Sequence, residues 1–404
     1  MSKKYKRQYR KPQQGRKALG EPSPVVTIEK CVFGGDGLAR HDGRTYFVSR
    51  ALPGEKVQLG PVYKKKQVYL SSVQEIIEAS PYRREAPCSY YDECGGCNWQ
   101  HVEYEHQLEL KLSMVKESLN HVFGEDCIPE IELISGEEWY YRHRAQLKVR
   151  DGEIGFFANK SHDVVDILHC RVLCKELNVF MNEARDYDLS HIKEIKVIAG
   201  SHGKVASYPI LQESTVMIDE MDVNGKKIEV TGMSFFQQNR ELTPKLGDWV
   251  RKRVKGGNVI DLFGGSGFFS LMVHDSVKEV VLVELEESLT RLAEKNVLNN
   301  KAENIEVVCS SVDNFFSSEH FKDLSHDVTV IVDPPRGGLS RSTVEVLSNT
   351  PMEQLIYVAC DPNTQVRDVK LLKEQGGFEI KECALFDLYP NTHHMETVLV
   401  LQRK

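Results

Sequence analysis

The chain reads as an α/β protein with a small N-terminal β-barrel, a central α+β region and a C-terminal doubly wound sheet. Three observations predict this. In residues 236–404 five short apolar runs alternate with amphipathic stretches, the pattern of parallel strands covered by helices on both faces. A glycine-rich turn follows the first of those runs, as in open sheets that bind ligands beyond their strand ends. Residues 24–79 hold short strand-like segments separated by glycines, which suits a small closed barrel.

Composition sets the frame. At 404 residues, 41% hydrophobic and 27% charged, the chain is long enough for two or three cores. It has no apolar run of about 18 residues and no apolar leader near its start, so no membrane association and a cytoplasmic setting are expected. Ten cysteines in such a chain point to thiol, metal or nucleophile chemistry more than to a disulfide framework. The net charge of −7 is uneven, because residues 1–20 hold eight Lys/Arg and no acid, leaving −15 on the remainder. The basic arm, 1–23, is expected to be disordered and to meet polyanions.

The elements follow in order. Val25–Ile28, Phe33–Arg40, Arg44–Val48, Lys56–Leu59 and Val62–Leu70 make an OB-like barrel over 24–79. Lys64, Lys65 and Lys66 flanked by Tyr63 and Tyr69 put cations beside aromatic faces, which suits a nucleic-acid strand. The central domain, 80–235, opens with a cysteine cluster and continues with a helix from Tyr104 to about Phe123. The final domain, 236–404, carries strands at Asn258–Phe263, Lys278–Val283, Asn304–Val308, Val328–Val332 and Leu355–Val358, with helices such as Glu286–Asn300 and Ser340–Asn349 between them. This is a Rossmann-like arrangement.

Asp261-Leu-Phe-Gly-Gly-Ser-Gly-Phe-Phe269 follows a strand and opens a helix, but Ser270 stands where a dinucleotide fingerprint needs its third small residue. S-adenosylmethionine fits better, since it has no pyrophosphate to cradle. Glu284, at the end of the next strand, is placed to accept both ribose hydroxyls. Val332-Asp-Pro-Pro-Arg-Gly337 ends the fourth strand, where two prolines stiffen the backbone and Asp333 faces the switch region. Adenine-N6 methyltransferases carry an aromatic after such a Pro-Pro pair; Arg336 takes that place here.

Cys360 ends the run Leu355-Ile-Tyr-Val-Ala-Cys360. A thiol at a strand mouth beside a methyl donor suits methylation of pyrimidine carbon 5. Thiolate addition to carbon 6 makes carbon 5 nucleophilic, and a base must then remove the carbon-5 proton. Glu396, ahead of a final apolar strand, is the candidate base, with His393 and His394 as rivals. Cytosine-C5 RNA enzymes carry a cysteine directly after an Asp-Pro-Pro-like turn. Arg336 stands there instead, so uracil is favoured.

Cys88-x5-Cys94-Gly-Gly-Cys97 with the remote Cys170 can make a four-thiolate site, and on chemistry alone either zinc or an iron–sulfur cluster fits. Cys174 is a rival to Cys170. Cys31, Cys127, Cys309 and Cys383 are assigned no role.

Taken together, Phe235-Phe-Gln-Gln-Asn239, the glycine turn, Asp-Pro-Pro-Arg, Ala-Cys-Asp-Pro-Asn-Thr and His-His-Met-Glu-Thr resemble the RNA uridine-C5 methyltransferase family, in its ribosomal-RNA branch. The resemblance runs from about residue 24 to the end. It implies a TRAM barrel and a class I methyltransferase domain. It also implies Cys360 as nucleophile, Glu396 as base, and Gln237, Phe263, Glu284 and Asp333 as S-adenosylmethionine contacts. A [4Fe–4S] cluster on Cys88, Cys94, Cys97 and Cys170 is implied as well. The expected substrate is ribosomal RNA, acted on by a monomer with no obligatory protein partner. The same reaction on transfer RNA, or a non-catalytic assembly role, are the alternatives. Two departures stand out. Asp361 occupies a position usually held by Asn, and its charge is expected to raise the pKa of the thiol; Phe268 replaces a residue that is polar in some members.

Overall fold

The structure is a computed structural model describing residues 18, 20, 23–125, 128–211, 215–318 and 327–403. The charged residues of the basic arm and Cys127 lie outside the described residues. Two compact units are present. The first comprises the described residues through Met114 together with Phe156–Ile167 and Pro390–His393; the second comprises Val115–Gly155, Leu168–Tyr389 and His394 onward. Among the described residues no helix is long and apolar enough to cross a membrane.

The first unit holds strands β1 (Val25–Thr27), β2 (Lys30–Cys31), β3 (Gly37–His41), β4 (Arg44–Ser49), β5 (Lys56–Leu59), β6 (Tyr63–Lys65) and β7 (Val68–Glu78). Their order is β1-β5-β7-β4-β3-β2, with β6 on β7. The sheet closes because β1 and β2 belong to one extended stretch that pairs with β5 on one side and β3 on the other. Between them the Ile28 N–H donates to the Glu55 carbonyl at 2.9 Å and the Glu29 N–H to the Leu38 carbonyl at 2.8 Å. Closure removes the free edges that would otherwise recruit other strands. Inward-facing Val26, Ile28, Tyr46, Val48, Val57 and Leu59 fill the interior. Asp42-Gly43, both at positive φ, make the tight turn from β3 to β4 that Asp-Gly favours. Glu55 is fully buried. It accepts from Arg83 Nη2 at 2.8 Å and from the Leu52 N–H at 2.9 Å, while Arg83 Nη2 also donates to the Arg50 carbonyl at 2.8 Å.

Helix α1 spans Tyr104–Phe123, where the sequence placed it. The strands that follow are β8 (Ile131–Ile134), β9 (Arg144–Arg150), β10 (Glu153–Phe157), β11 (Val164–Asp166), β12 (Glu194–Ala199), β13 (Val205–Tyr208), β14 (Ile218–Val223) and β15 (Lys226–Thr231), with α2 at Lys175–Glu183. Strand β9 pairs with β10 and β12, and β12 with β13, all antiparallel. The β9–β10 and β14–β15 hairpins turn on Asp151-Gly152 and Asn224-Gly225, again at positive φ.

The rest of the second unit is the doubly wound domain. Its elements are α3 (Leu242–Arg251), β16 (Asn258–Leu262), α4 (Phe268–Val273), β17 (Glu279–Glu284), α5 (Glu287–Asn299), β18 (Ile305–Cys309) and α6 (Val312–Ser317). Next come β19 (Val328–Val332), α7 (Arg341–Asn349), β20 (Gln354–Ala359), α8 (Pro362–Gly376), β21 (Phe378–Phe386) and β22 (Glu396–Arg403). The sheet order is β18-β17-β16-β19-β20-β22-β21-β8. The five predicted strands, β16–β20, are parallel. Residues of β16, β19 and β20 are buried throughout, as expected of strands covered on both faces. The chain leaves β16 towards β17 and later returns to β19 on its other side. That reversal makes a crevice beyond the carboxyl ends, where such sheets bind ligands. Strand β22 inserts antiparallel between β20 and β21, so its first residue lies at the same end of the sheet.

Removing Glu55 leaves Arg83 without its carboxylate in a closed site. Glu55→Ala is expected to destabilise the protein by about 3–5 kcal/mol, read as a lower urea midpoint; an unchanged midpoint would show that the pair is dispensable.

Candidate active site

The cofactor-side turn is shaped by backbone constraints. Phe263, the residue after β16, has φ 62, and Gly265 and Gly267 also sit at positive φ. A Cβ on Gly264 would lie 2.5 Å from Leu282 Cγ, so only glycine lets the turn pack on β17. Glu284, at the end of β17, accepts from the Gly265 N–H at 3.0 Å and the Glu286 N–H at 2.8 Å. Ser270 has a structural reason to be there. Its N–H and hydroxyl both donate to Asp261 Oδ2, at 3.0 and 2.7 Å, and tie α4 to β16. Burial still pushes the Asp261 carboxyl up to about 7, against those two bonds and with help from Glu284.

Asp333 follows β19, and Gln237 Nε2 donates to its Oδ2 at 3.4 Å. Burial, then the nearby Asp261, push Asp333 up to about 7. Gln237 Oε1 and Asp261 Oδ1 are buried acceptors without a hydrogen-bond partner. Orphaned acceptors beside acids suit a cationic ligand with N–H donors, which describes S-adenosylmethionine.

Cys360 lies one residue beyond β20. The register pairs Ala359 with Thr397, and one further step sets Cys360 opposite Glu396. Gln365 locks that pairing: its Nε2 donates to the Tyr357 and Thr397 carbonyls at 2.9 and 3.2 Å, and its Oε1 accepts from Thr397 Oγ1 at 2.7 Å. Glu396 is 2% exposed. Burial and Asp333 hold its carboxyl well above the ordinary range, with Arg336 opposing. Burial likewise pushes the Cys360 thiol up to about 12; Glu396, Asp333 and Asp361 add to this and Arg336 opposes it. The expected effect of Asp361 is therefore present, but it is the smallest of these contributions. Asp361 also has a local task, accepting the Asn363 N–H at 2.9 Å as the N-cap of α8. The helix start just beyond Cys360 favours a thiolate.

The rival bases are placed differently. His393 Nδ1 is engaged by the Asn98 side-chain amide at 2.7 Å. His394 packs edge-on against Tyr389, with ring centroids 6.0 Å apart. Two residues went unnoticed in the sequence. Burial, with Glu396, Cys360 and Asp333 within electrostatic reach, holds the Tyr389 hydroxyl protonated, and Arg142 opposes them. Neither sits in a motif that would have drawn attention to it.

Cys88, Cys94, Cys97 and Cys170 are half-buried thiols outside any disulfide. The Gly96 N–H donates to Cys94 Sγ at 3.3 Å. Asn178 holds Cys170 by its backbone N–H at 2.8 Å and its carbonyl at 3.0 Å. Among the described residues no set of three or more His, Cys, Asp or Glu side chains is gathered as a metal site. Cys174 is buried at the N-cap of α2, its thiol pushed up to about 12 by burial; Cys31 and Cys383 are buried likewise. Cys309 is exposed. On the barrel, Lys64 stands 6.0 Å from the Tyr69 ring, one contact of the expected cluster, and Arg44, which the sequence did not single out, lies 5.1 Å from the same ring.

The family model for tRNA (uracil-5-)-methyltransferase matches residues 153–404. The chain belongs to this family. It is an S-adenosylmethionine-dependent methyltransferase acting on carbon 5 of uracil in RNA. An RNA methyltransferase of Aquifex aeolicus is 30% identical, the match covering 94% of this chain and 98% of the relative. The 23S rRNA (uracil(1939)-C(5))-methyltransferase RlmD of Histophilus somni is 29% identical over 94% of this chain and 96% of its own. In fold the chain is similar to the Pyrococcus abyssi tRNA (uracil-54, C5)-methyltransferase solved with S-adenosyl-L-homocysteine. The TM-score is 0.74 at 22% identity, covering 94% of this chain and 100% of that one.

The raised carboxyls have a consequence for stability. Folded Asp333 holds its proton more tightly than the unfolded chain does, so its contribution is complete below about pH 4 and is lost as pH rises through about 7. Without ligand, Asp333→Asn is expected to melt above the wild type at pH 8 and close to it at pH 4. Thermal scans across that range test this; parallel curves would contradict the assigned burial cost.

Proposed function

We propose that Cys360 is the nucleophile and Glu396 the base of uracil-C5 methylation. The observation that carries this reading is their facing position across the β20–β22 pair, at the carboxyl end of the sheet, with Asp333 beside them. The thiolate forms a bond to uracil carbon 6 and the displaced electron pair moves onto the carbon-4 oxygen, leaving carbon 5 nucleophilic. When bound, S-adenosylmethionine supplies an electrophilic methyl group on sulfur. Once carbon 5 has been methylated, Glu396 takes its proton, the sulfur–carbon-6 bond breaks, and the thiolate is regenerated. Burial that raises the Glu396 pKa makes it the stronger base for that proton. Gln237, Phe263, Glu284 and Asp333 hold the methyl donor: Glu284 at the ribose hydroxyls, Phe263 through its turn, Gln237 and Asp333 near the reactive end.

Ribosomal RNA is the proposed substrate. The relatives named for 23S rRNA match along nearly the whole chain, and the closed barrel with cations over Tyr69 serves as a TRAM-type RNA-binding domain. Such a substrate places the enzyme in the cytoplasm. Transfer RNA is the second reading, favoured by the description of the family itself. The sequence pattern Cys88-x5-Cys94-x2-Cys97 with the remote Cys170 supports, through the family resemblance, a [4Fe–4S] cluster on these four thiols. Its role is to fix structure, and no step of methyl transfer passes through it. Anaerobically purified protein should carry four iron and four sulfide per chain, and Cys94→Ser should lose them; an iron-free wild type would overturn this assignment.

With 5-fluorouridine-containing ribosomal RNA and labelled methyl donor, the enzyme should form a denaturation-resistant adduct that Cys360→Ala abolishes. Glu396→Gln should slow turnover by about 10²–10⁴-fold and accumulate an adduct on ordinary RNA. Arg336→Gln removes the cation opposing the rise of the thiol and should move the rate profile to higher pH. No adduct on either RNA class would refute the nucleophile assignment.

A further inference from the structure

A strip of exposed apolar side chains leads away from the site just described. Tyr208, Met233 and Phe235 are 56%, 53% and 54% exposed, well above what a covered sheet face would allow. The register sets Lys196 opposite both Gln146 and Tyr208, so these three share one face of the β9–β12–β13 sheet. Lys196 Nζ lies 3.8 Å from Met233 Sδ. A Cβ on Gly232 would come within 2.5 Å of the Tyr208 backbone nitrogen and 2.7 Å of the Lys196 carbonyl, so the chain after β15 runs directly against these residues. Arg144 lies 5.6 Å from the Phe235 ring centre and donates from Nε to the Ser234 carbonyl at 3.3 Å.

The strip has a direction. Phe235 is two residues from Gln237, which bonds Asp333. Arg144 lies within electrostatic reach of Tyr389, which stands beside Cys360 and Glu396. Its inner end is therefore the catalytic mouth and its outer end is Tyr208.

We propose that Phe235, Met233, Lys196 and Tyr208 form a track for the single-stranded RNA flanking the target uridine. The inference rests on the reading that the uridine enters at Cys360. Cations interleaved with aromatic and thioether surface match a strand of stacked bases on a charged backbone. Glu194 lies 4.0 Å from Lys196, at the limit of an ion pair. A protein partner would instead bury an apolar centre depleted of charge, and a second copy of this chain would set Lys196 and Arg144 against their own likes.

The test measures binding of a ribosomal RNA fragment with and without its single-stranded flanks. Tyr208→Ala should weaken binding of the flanked fragment by about tenfold and leave the trimmed one unchanged. Tyr208→Phe should bind as the wild type does, and Lys196→Gln should reduce the salt slope by about 1. Unaltered S-adenosylmethionine affinity certifies that each variant is folded. The proposal is overturned if Tyr208→Ala and Met233→Ala both bind the flanked fragment normally. It is also overturned if sedimentation shows a wild-type dimer that Tyr208→Ala dissociates. The two readings fail separately: normal 5-fluorouridine adduct formation with unaffected flank binding sinks the track alone, whereas loss of the wild-type adduct sinks the catalytic assignment.

Discussion

The pairing of β22 against β20 is the constraint on which the site depends. In an antiparallel pair, one register step decides which side chains face each other. Ala359 opposite Thr397 is the register that brings a thiol and a carboxyl together. A slip by one residue would aim one of them at the opposite face. Gln365 guards against that slip, because its amide is bonded to both strands at once. A side chain on α8 thereby carries the alignment of two residues it does not touch.

The second theme is the concentration of acids. Asp261 in β16, Asp333 just after β19 and Glu396 at the start of β22 are each shifted upward mainly by burial. In the absence of ligand such a group stays partly protonated, because the charged forms repel one another and lack solvent. On the proposed placement of the methyl donor, a positively charged sulfonium beside Asp333 would shift that balance in favour of ionisation. The product of methyl transfer is neutral at sulfur and gives no such support. Arg336 and the start of α8 are the counterweights that keep the thiolate within reach.

Much of this was legible in the chain. The five β-branched runs announced the parallel strands because residues buried on both faces leave little room for polar side chains. Cys360 and Glu396 could be singled out since each stands at the edge of an apolar run, where a strand must end. The barrel and its closure were legible in the short strands and their glycines, but the way it closes was not: it depends on β1 and β2 being one stretch with two partners. Ser270 looked like a flaw in a nucleotide motif, and only the fold shows it bonded to Asp261. His393 was a plausible base until its ring was seen bound to Asn98, a residue 295 positions away. Tyr389 and Arg142 escaped notice because electrostatic proximity across the fold leaves no periodic trace.

The placement of β22 also bears on when the enzyme becomes competent. Synthesis runs from the amino end, so β20 and its thiol are made before the strand that must slot in beside them. Until β21 has folded back and β22 has entered the gap, Cys360 stands next to an open strand edge with no carboxyl opposite. A nascent chain therefore holds the thiol without its facing carboxyl, and the pair is completed only with the insertion of that strand.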